Sequence, residues 1–489
     1  MKPYLHRFLT ALIIILLIPA SLFAASPPFS KDELDTIQSH LLDNIATQNN
    51  VLSKPTSNSL MQSKAGAVIA SPSTPSNEFS MDYMLSWVRD SAIVMDEVAT
   101  LYQHAPNNKE QAKLKNYMLN YINWVNVTQG QKPIHSGVST LGEPIYNING
   151  SIWDGKWSRP QYDGPALQAI ALMHINYTFI QAKEPQWTHT NQDNVRILIE
   201  KDLNFVAKNW NRPSYSLWEE SMDQNFFTEM VQRKALIMGA DYETSLGNTK
   251  LAAYYQSQVK GIESLLSKHW NPGEGYYSEG LKQQQFKGGS VNISVLLGAL
   301  MGDTGKLDDP FAPDSDKMLS SAFFTRVLFE NLYFVNLQNA NAPMLGRYVS
   351  DKYDGNQFLY GNPWFIATDA MAQFYYTVAD RLQAKGALTI TPYNIYFFRQ
   401  IAPEFNLRSG MTLTKADNPA EFYALRQDLI NQGDAFLNTS KDYADCYNEN
   451  DCLHFSEQVD RVSGDQVSAK DLTWSYVSVL TAMQVRSAS

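Results

Sequence analysis

The chain has 489 residues and a formal net charge of −10, from 39 Lys and Arg against 49 Asp and Glu. Charged residues make up 18% and aromatic residues 12%, which excludes a disordered chain and leaves ample apolar surface for a core. The acidic balance excludes a nucleic-acid partner, which needs clustered Lys and Arg.

In chain order, Lys2 and Arg7 precede an apolar run over 8–18 broken only by Thr10. Pro19 and the small residues Ala20, Ser21, Ala24 and Ala25 follow. That is the pattern of a secretory signal over 1–25, too short and wrongly flanked for a membrane span. The remainder, 26–489, is expected to be exported, to a periplasm or to the exterior, and free of the membrane. Ser30 with Glu33 three residues on marks a helix start, and 49–75 reads as a polar loop with an apolar stretch at 65–70. Helical periodicity then predicts helices over 87–102, 109–128, 164–183, 195–209, 226–245, 246–270, 291–301, 317–334, 363–382, 419–437 and 470–486. Strand signals are short, at 275–277 and 394–398. No Rossmann or P-loop fingerprint follows them.

Length alone would allow roughly three domains, but no linker parts the helices. The expectation is one all-α unit, either an open solenoid or a closed toroid of paired helices. The lack of a fixed repeat favours the toroid. The two cysteines, Cys446 and Cys452, can close one small loop in an oxidising compartment or remain free thiols in a reducing one.

Five clusters of Trp, Tyr, Arg, Asp and Glu fall in connections between helices. The first runs from Asp82 to Asp90 and includes Tyr83, Trp87 and Arg89. The second holds Trp153, Trp157, Arg159 and Asp163; the third is Leu217-Trp218-Glu219-Glu220. The fourth joins Arg347 and Asp351 to Trp364, and the fifth places Glu457 beside Gln458. Each alone has a structural alternative, as an ion pair, a core plug or a helix-capping carboxylate. Together they are the chemistry of a carbohydrate cleft. Vicinal sugar hydroxyls need donors and acceptors side by side, indoles stack on pyranose faces, and adjacent carboxylates repel in a way that suits a general acid. Two separated carboxylates fit glycosidic hydrolysis. The eight His show no metal-ligand spacing and no GxSxG elbow occurs, so no metal, cofactor or serine nucleophile is expected.

These residues resemble the glucoamylases, glycoside hydrolase family 15. The similarity lies in Val68-Ile69-Ala70-Ser71-Pro72-Ser73, Ser86-Trp87-Val88-Arg89-Asp90-Ser91, Arg159-Pro160-Gln161 with Asp163-Gly164-Pro165-Ala166-Leu167, Leu217-Trp218-Glu219-Glu220, Gly361-Asn362-Pro363-Trp364-Phe365 and Asp471-Leu472-Thr473-Trp474-Ser475-Tyr476, in the family's order. The resemblance implies an (α/α)6 barrel with its site in loops at one end. It implies Glu219 as general acid, Glu457 as general base with Gln458 beside it, and Glu220 on the next sugar. Arg89, Asp90 and Arg347 would hold the terminal glucose. Tyr83, Trp87, Trp157, Leu217, Trp218 and Trp364 would form walls, with Arg159, Asp163 and Asp351 as further polar members. The implied activity is inverting, exo-acting release of β-D-glucose from α-1,4-linked glucans and maltooligosaccharides, slower on α-1,6 bonds, with a mildly acidic optimum.

Ser158 stands where Gly is frequent in the family, and Asn292 near where many members carry Asp. The motifs begin too early for a preceding β-sandwich and end too late for a starch-binding module. A monomer acting on soluble oligosaccharide or polysaccharide is therefore expected, with Cys446–Cys452 as a short disulfide ahead of Glu457. Trehalase or glucodextranase activity, and an exported glucan-binding protein without catalysis, are the alternatives.

Overall fold

Local chemistry starts and stops the helices. Ser30 and Glu33 close a reciprocal capping box, with the Ser30 N–H donating to the Glu33 carboxylate at 2.7 Å. Thr188 and Asn191 form a second, which starts one helix at His189, six residues before its apolar pattern begins. The computed structural model describes residues 26–57, 59–75, 81–185, 187–282 and 291–489. The expected signal over 1–25 lies outside them.

Among the described residues there are thirteen helices: α1 (Lys31–Asp43), α2 (Val88–Gln103), α3 (Asn108–Gln129), α4 (Asp163–Gln181), α5 (His189–Asn209), α6 (Phe226–Ser245), α7 (Thr249–Leu266), α8 (Ile293–Met301), α9 (Asp316–Glu330), α10 (Phe365–Lys385), α11 (Ile395–Ile401), α12 (Pro419–Asp442) and α13 (Thr473–Ala488). Helices α2, α4, α6, α8, α10 and α13 each pack on the next, and α13 packs back on α2, closing a ring of six. Outside it, α3, α5, α7, α9 and α12 pair with the five inner helices that precede them, and α1 covers α13. This is an (α/α)6 barrel.

Inner helices are apolar on most faces because they have neighbours on most sides. In α4, nearly every residue from Asp163 to Phe179 is buried, and in α8 all those from Ile293 to Leu300. Outer helices carry one apolar face. Close pairing needs small residues: a side chain on Gly433 of α12 would lie 2.4 Å from the Tyr376 ring of α10.

The site end of the ring is fixed by how the inner helices begin. Arg89, in the first turn of α2, bonds Asp163, the first residue of α4, at 3.2 Å. Trp218, ahead of α6, bonds Asn292, the cap of α8, at 2.9 Å. Trp364, the cap of α10, bridges to Gln458, ahead of α13. All six inner helices therefore present their N-termini at one end, where their dipoles favour carboxylates.

Two local expectations change. Residues 394–398, read as a strand, lie in helix at Ile395–Ile401. Thr391 and Asn394 bond reciprocally (2.8 and 3.3 Å), and α9 and α12 bury Ile395, Phe397 and Phe398, which overrides β propensity. The loop at 49–75 contains a hairpin, Ser53–Pro55 with Leu60–Gln62. The strand at Tyr276–Tyr277 is present and pairs with Trp270–Asn271.

Candidate active site

Two adjoining cavities open at the N-terminal end of the inner ring. The inner one, about 500 Å³, is lined by Tyr83, Trp87, Arg89, Asp90, Trp157, Leu217, Trp218, Arg347, Trp364 and Glu457, among others. The outer one, about 860 Å³, carries Tyr348, Lys352 and Phe358. Glu219, Glu220 and Phe358 border both.

Glu219 sits in the short connection between strands Ser214–Tyr215 and Met222–Asp223, with a left-handed backbone at φ 64°. Its N–H donates to the Ser216 carbonyl at 2.9 Å, and its own carbonyl accepts from the Ser158 hydroxyl. Four N–H groups surround its carboxylate. Trp87 Nε1 (3.0 Å), Gln161 Nε2 (2.8 Å) and Arg89 (3.3 Å) donate to Oε1, while Trp157 Nε1 alone donates to Oε2 (2.8 Å). Glu220 turns the other way, accepting from Arg347 at 2.7 Å and from the Tyr348 hydroxyl at 2.5 Å. The positive φ is what turns the consecutive glutamates onto different sets of partners.

Glu457 is buried on the loop ahead of α13. Oε1 accepts from the Tyr83 hydroxyl at 2.9 Å; Oε2 accepts from Ser468 and, at 3.1 Å, from Gln458 Nε2. Burial pushes its pKa up, while Ser468, Tyr83, Arg347 and Gln458 act in the opposite direction. The group is thus a stronger base than a solvated carboxylate yet held by donors that favour its ionised form.

Arg89 and Asp90 meet at 3.3 Å, and Arg89 Nε and Asp90 Oδ2 make no hydrogen bond among the described residues. Burial pushes the Asp90 carboxyl up to about 6, helped by Glu219 and Asp163 and opposed by Arg89. Burial works to lower the Arg89 guanidinium, but Asp90, Asp163 and Glu219 outweigh it and hold it above its ordinary value. A donor and an acceptor with spare capacity in a cavity are what paired hydroxyls require.

Opposite chemistry surrounds Arg347. Asp351 grips it twice at 2.7 Å, and the rings of Trp218, Tyr348, Tyr353 and Trp364 lie 5.1–5.5 Å from its guanidinium carbon.

Four expected contact residues sit one layer behind the cavity. Arg159 spends its guanidinium on Glu143 (2.7 Å) and on the carbonyls of Trp153 and Gly155 (3.0 and 2.9 Å), so it pins the loop that carries Trp157. Asp163 orients Arg89, Asp351 orients Arg347, and Gln458 links Glu457 to Asn362 at 3.1 Å. Asn292 Oδ1 caps α8 and accepts from Trp218 Nε1, so an amide oxygen suffices there. Other site residues have no charge pattern to mark them. Tyr353 bonds Tyr83 at 2.8 Å, Ser468 bonds Glu457, and Phe358 stands 66% exposed at the rim. Tyr353 follows Asp351 by two residues, a proximity that could have flagged it. Cys446 and Cys452 are disulfide-bonded, closing the hairpin of Asp445–Asn448 and Asp451–His454 just ahead of Glu457.

A helical toroid whose cavity combines three glutamates, two arginines, an aspartate and indole walls defines a carbohydrate-cleaving enzyme, a glycoside hydrolase. Comparison with known proteins narrows this. The sequence pattern described as "Glycosyl hydrolases family 15" matches residues 46–484, and the chain belongs to that family. It is 32% identical over 419 residues to a glucoamylase of Blastobotrys adeninivorans, covering 83% of this chain and 65% of that protein. It is 34% identical over 427 residues to a probable glucoamylase of Schizosaccharomyces pombe, covering 86% and 85%. The glucoamylase of Saccharomycopsis fibuligera superposes with a TM-score of 0.80 at 29% identity, covering 95% of this chain and 97% of that one.

Proposed function

We propose that the protein is an exported, exo-acting, inverting glucoamylase that releases β-D-glucose from the non-reducing ends of α-1,4-linked glucans and maltooligosaccharides. The observation that carries this is the placement of Glu219 and Glu457. They come from different loops, face one cavity, and are held by separate donor networks. Arg89 and Asp90 bind the hydroxyls of the terminal sugar, and Trp87, Trp157 and Trp218 bound its ring. Arg347, lining the same inner cavity, joins them on the terminal sugar, and Glu220, which borders both cavities, takes the next one, which puts the scissile oxygen beside Glu219.

Glu219 donates its proton to that oxygen. Oε2, with Trp157 as its one donor, has the spare capacity to carry it, whereas Oε1 already accepts three N–H groups. Glu457 takes a proton from water on the far face of the sugar. The water oxygen bonds C1, the glycosidic bond breaks to the protonated leaving group, and the anomeric centre inverts. No helix among the described residues is long and apolar enough to cross a membrane. The described residues act as one catalytic unit and as a monomer.

Product analysis on maltotriose tests the reading. Wild type yields β-glucose and maltose; Glu219→Gln and Glu457→Gln each lose at least ~10²-fold in turnover with unchanged circular dichroism. An α-anomer refutes inversion, and near-normal turnover by either variant refutes the roles. Parallel assays on trehalose and isomaltose separate the family's other activities.

A further inference from the structure

Between Asp351 and Gly361 the chain makes an excursion beside the cavity and returns to where it left. The Gly361 N–H donates to the Asp351 carbonyl at 3.1 Å, which closes the neck. Within the loop Tyr353 and Phe358 pair across an antiparallel bridge. The Asp354 carboxylate accepts from the N–H groups of Asn356 and Gln357 at 3.0 and 2.6 Å. At the tip Gly355, with φ 94°, packs so closely on Ser468 that a Cβ there would stand 2.5 Å from it. The loop thus spends its polar groups on itself and rests on the residue that holds Glu457.

A turn built this way can carry polar side chains at no cost. Here Phe358, Leu359 and Tyr360 follow one another and stand 66%, 57% and 70% exposed. Three adjoining apolar side chains left in water stabilise nothing in the fold, and such a run marks a contact surface. Phe358 identifies the contact, because it borders both cavities and is backed by the Tyr353 ring, 5.6 Å away between centroids. A glucan with its terminal sugar at Arg89 and its second sugar at Glu220 continues into the outer cavity, where Phe358 stands. An aromatic face suits the C–H face of a pyranose, whose rim of hydroxyls needs donors and acceptors. Ser350 and Lys352, both exposed, supply them from the lining of the same cavity. A protein seated on these side chains would block the path of the substrate, so continuity with the cavity favours the substrate itself as occupant.

We propose that Phe358 is a stacking platform for the third glucose unit of a linear α-1,4-linked chain, with Ser350 and Lys352 bonding its hydroxyls. It sets a preference for maltotriose and longer chains over maltose, which ends before reaching it. The inference rests on the exo-acting reading above and adds a chain-length rule to it.

Initial rates of glucose release by the full chain from maltose, maltotriose and maltopentaose test this. Wild type is expected to have a higher kcat/KM on maltotriose and maltopentaose than on maltose. Phe358→Ala lowers the ratio of maltopentaose to maltose kcat/KM about fivefold, chiefly through KM on the longer chain, and Phe358→Trp retains the ratio. An unchanged ratio in Phe358→Ala overturns the platform. So does an equal loss on maltose and maltopentaose, which is the result if the ring serves only to buttress Tyr353. In either case wild-type release of glucose leaves the exo-acting reading standing; a wild type that releases glucose from none of the three overturns both.

Discussion

Replacing Tyr83 by Phe removes one hydroxyl from the general base and little else. The ring keeps its place beside Trp87, 6.3 Å between centroids, and Ser468 and Gln458 still hold Glu457 Oε2. What is lost is the 2.9 Å bond to Oε1, a hydrogen bond to an ionised group worth about 1.5–3 kcal/mol. Part of that returns if the Tyr353 hydroxyl, now 2.8 Å from Tyr83, swings onto Glu457. At 1.36 kcal/mol per pH unit, a net loss of roughly 1.5 kcal/mol raises the Glu457 pKa by about one. The sign follows from its role. Glu457 works ionised, and protonation on the acid side of the profile inactivates it. A raised pKa therefore moves the acidic limb of log kcat/KM to higher pH, by about one unit. The alkaline limb belongs to the proton of the general acid and stays in place. Initial rates of glucose release from maltose, measured across both limbs for wild type and Tyr83→Phe, decide it. An acidic limb that stays put, or moves down, refutes the assignment of Glu457 as the base; movement of the alkaline limb alone shows that Tyr83 serves Glu219 instead.

Arg347→Lys is expected to lower kcat/KM on maltose by about 10–100-fold, mostly through KM. A lysine cannot reproduce the fork that meets Asp351 and Glu220 together, and it fits the aromatic surround less well. Steady-state kinetics with unchanged kcat on saturating maltotriose would confirm a binding role. Glu97, inside the ring on α2, bonds Thr481 (2.8 Å) and Gln484 (2.5 Å) of α13, and burial pushes its pKa up to about 8. Its folded-state value exceeds the ordinary 4.5, so the stability it confers is whole below 4.5 and falls as pH rises toward 8. Glu97→Gln removes that fall, which amounts to about 4 kcal/mol at 1.36 kcal/mol per pH unit. Calorimetric melting at pH 5 and pH 8 should show the variant gaining on wild type only at the higher pH; equal differences at both would contradict a buried protonated Glu97.

Much of the site was legible because the barrel imposes a parity on the chain. An inner helix runs away from the site and its outer partner returns, so the chain reaches the same end once every two helices. Trp87 to Asp90, Asp163, Glu219 and Glu220, Asn292 and Trp364 each stand in, or a few residues ahead of, the first turn of an inner helix, and Glu457 lies on the connection that leads into the sixth. Motif, helix, helix, motif is the trace of a closed ring, and six such visits exhaust it. What the residue pattern could not reveal follows from the same geometry. Contacts across the ring join loops far apart in sequence, so nothing near Tyr83 marks its bond to Tyr353, and Ser468 reaches Glu457 from a stretch with no charge pattern. Arg159 carried a mark that pointed wrongly: Trp, Arg and Asp in one loop look alike whether they touch sugar or hold the loop that does. Its partners, Glu143 and the Trp153 and Gly155 carbonyls on the same connection between α3 and α4, separate the two. The strand expected at 394–398 failed for a related reason. Ile395, Phe397 and Phe398 suit a sheet or a buried face equally, and the choice was made by α9 and α12, not by the segment itself. The meeting of His40 with His454 is the extreme case. Ring closure brings α1 onto α13 and its preceding hairpin, so the two ends of the chain form a surface that no local spacing rule could register.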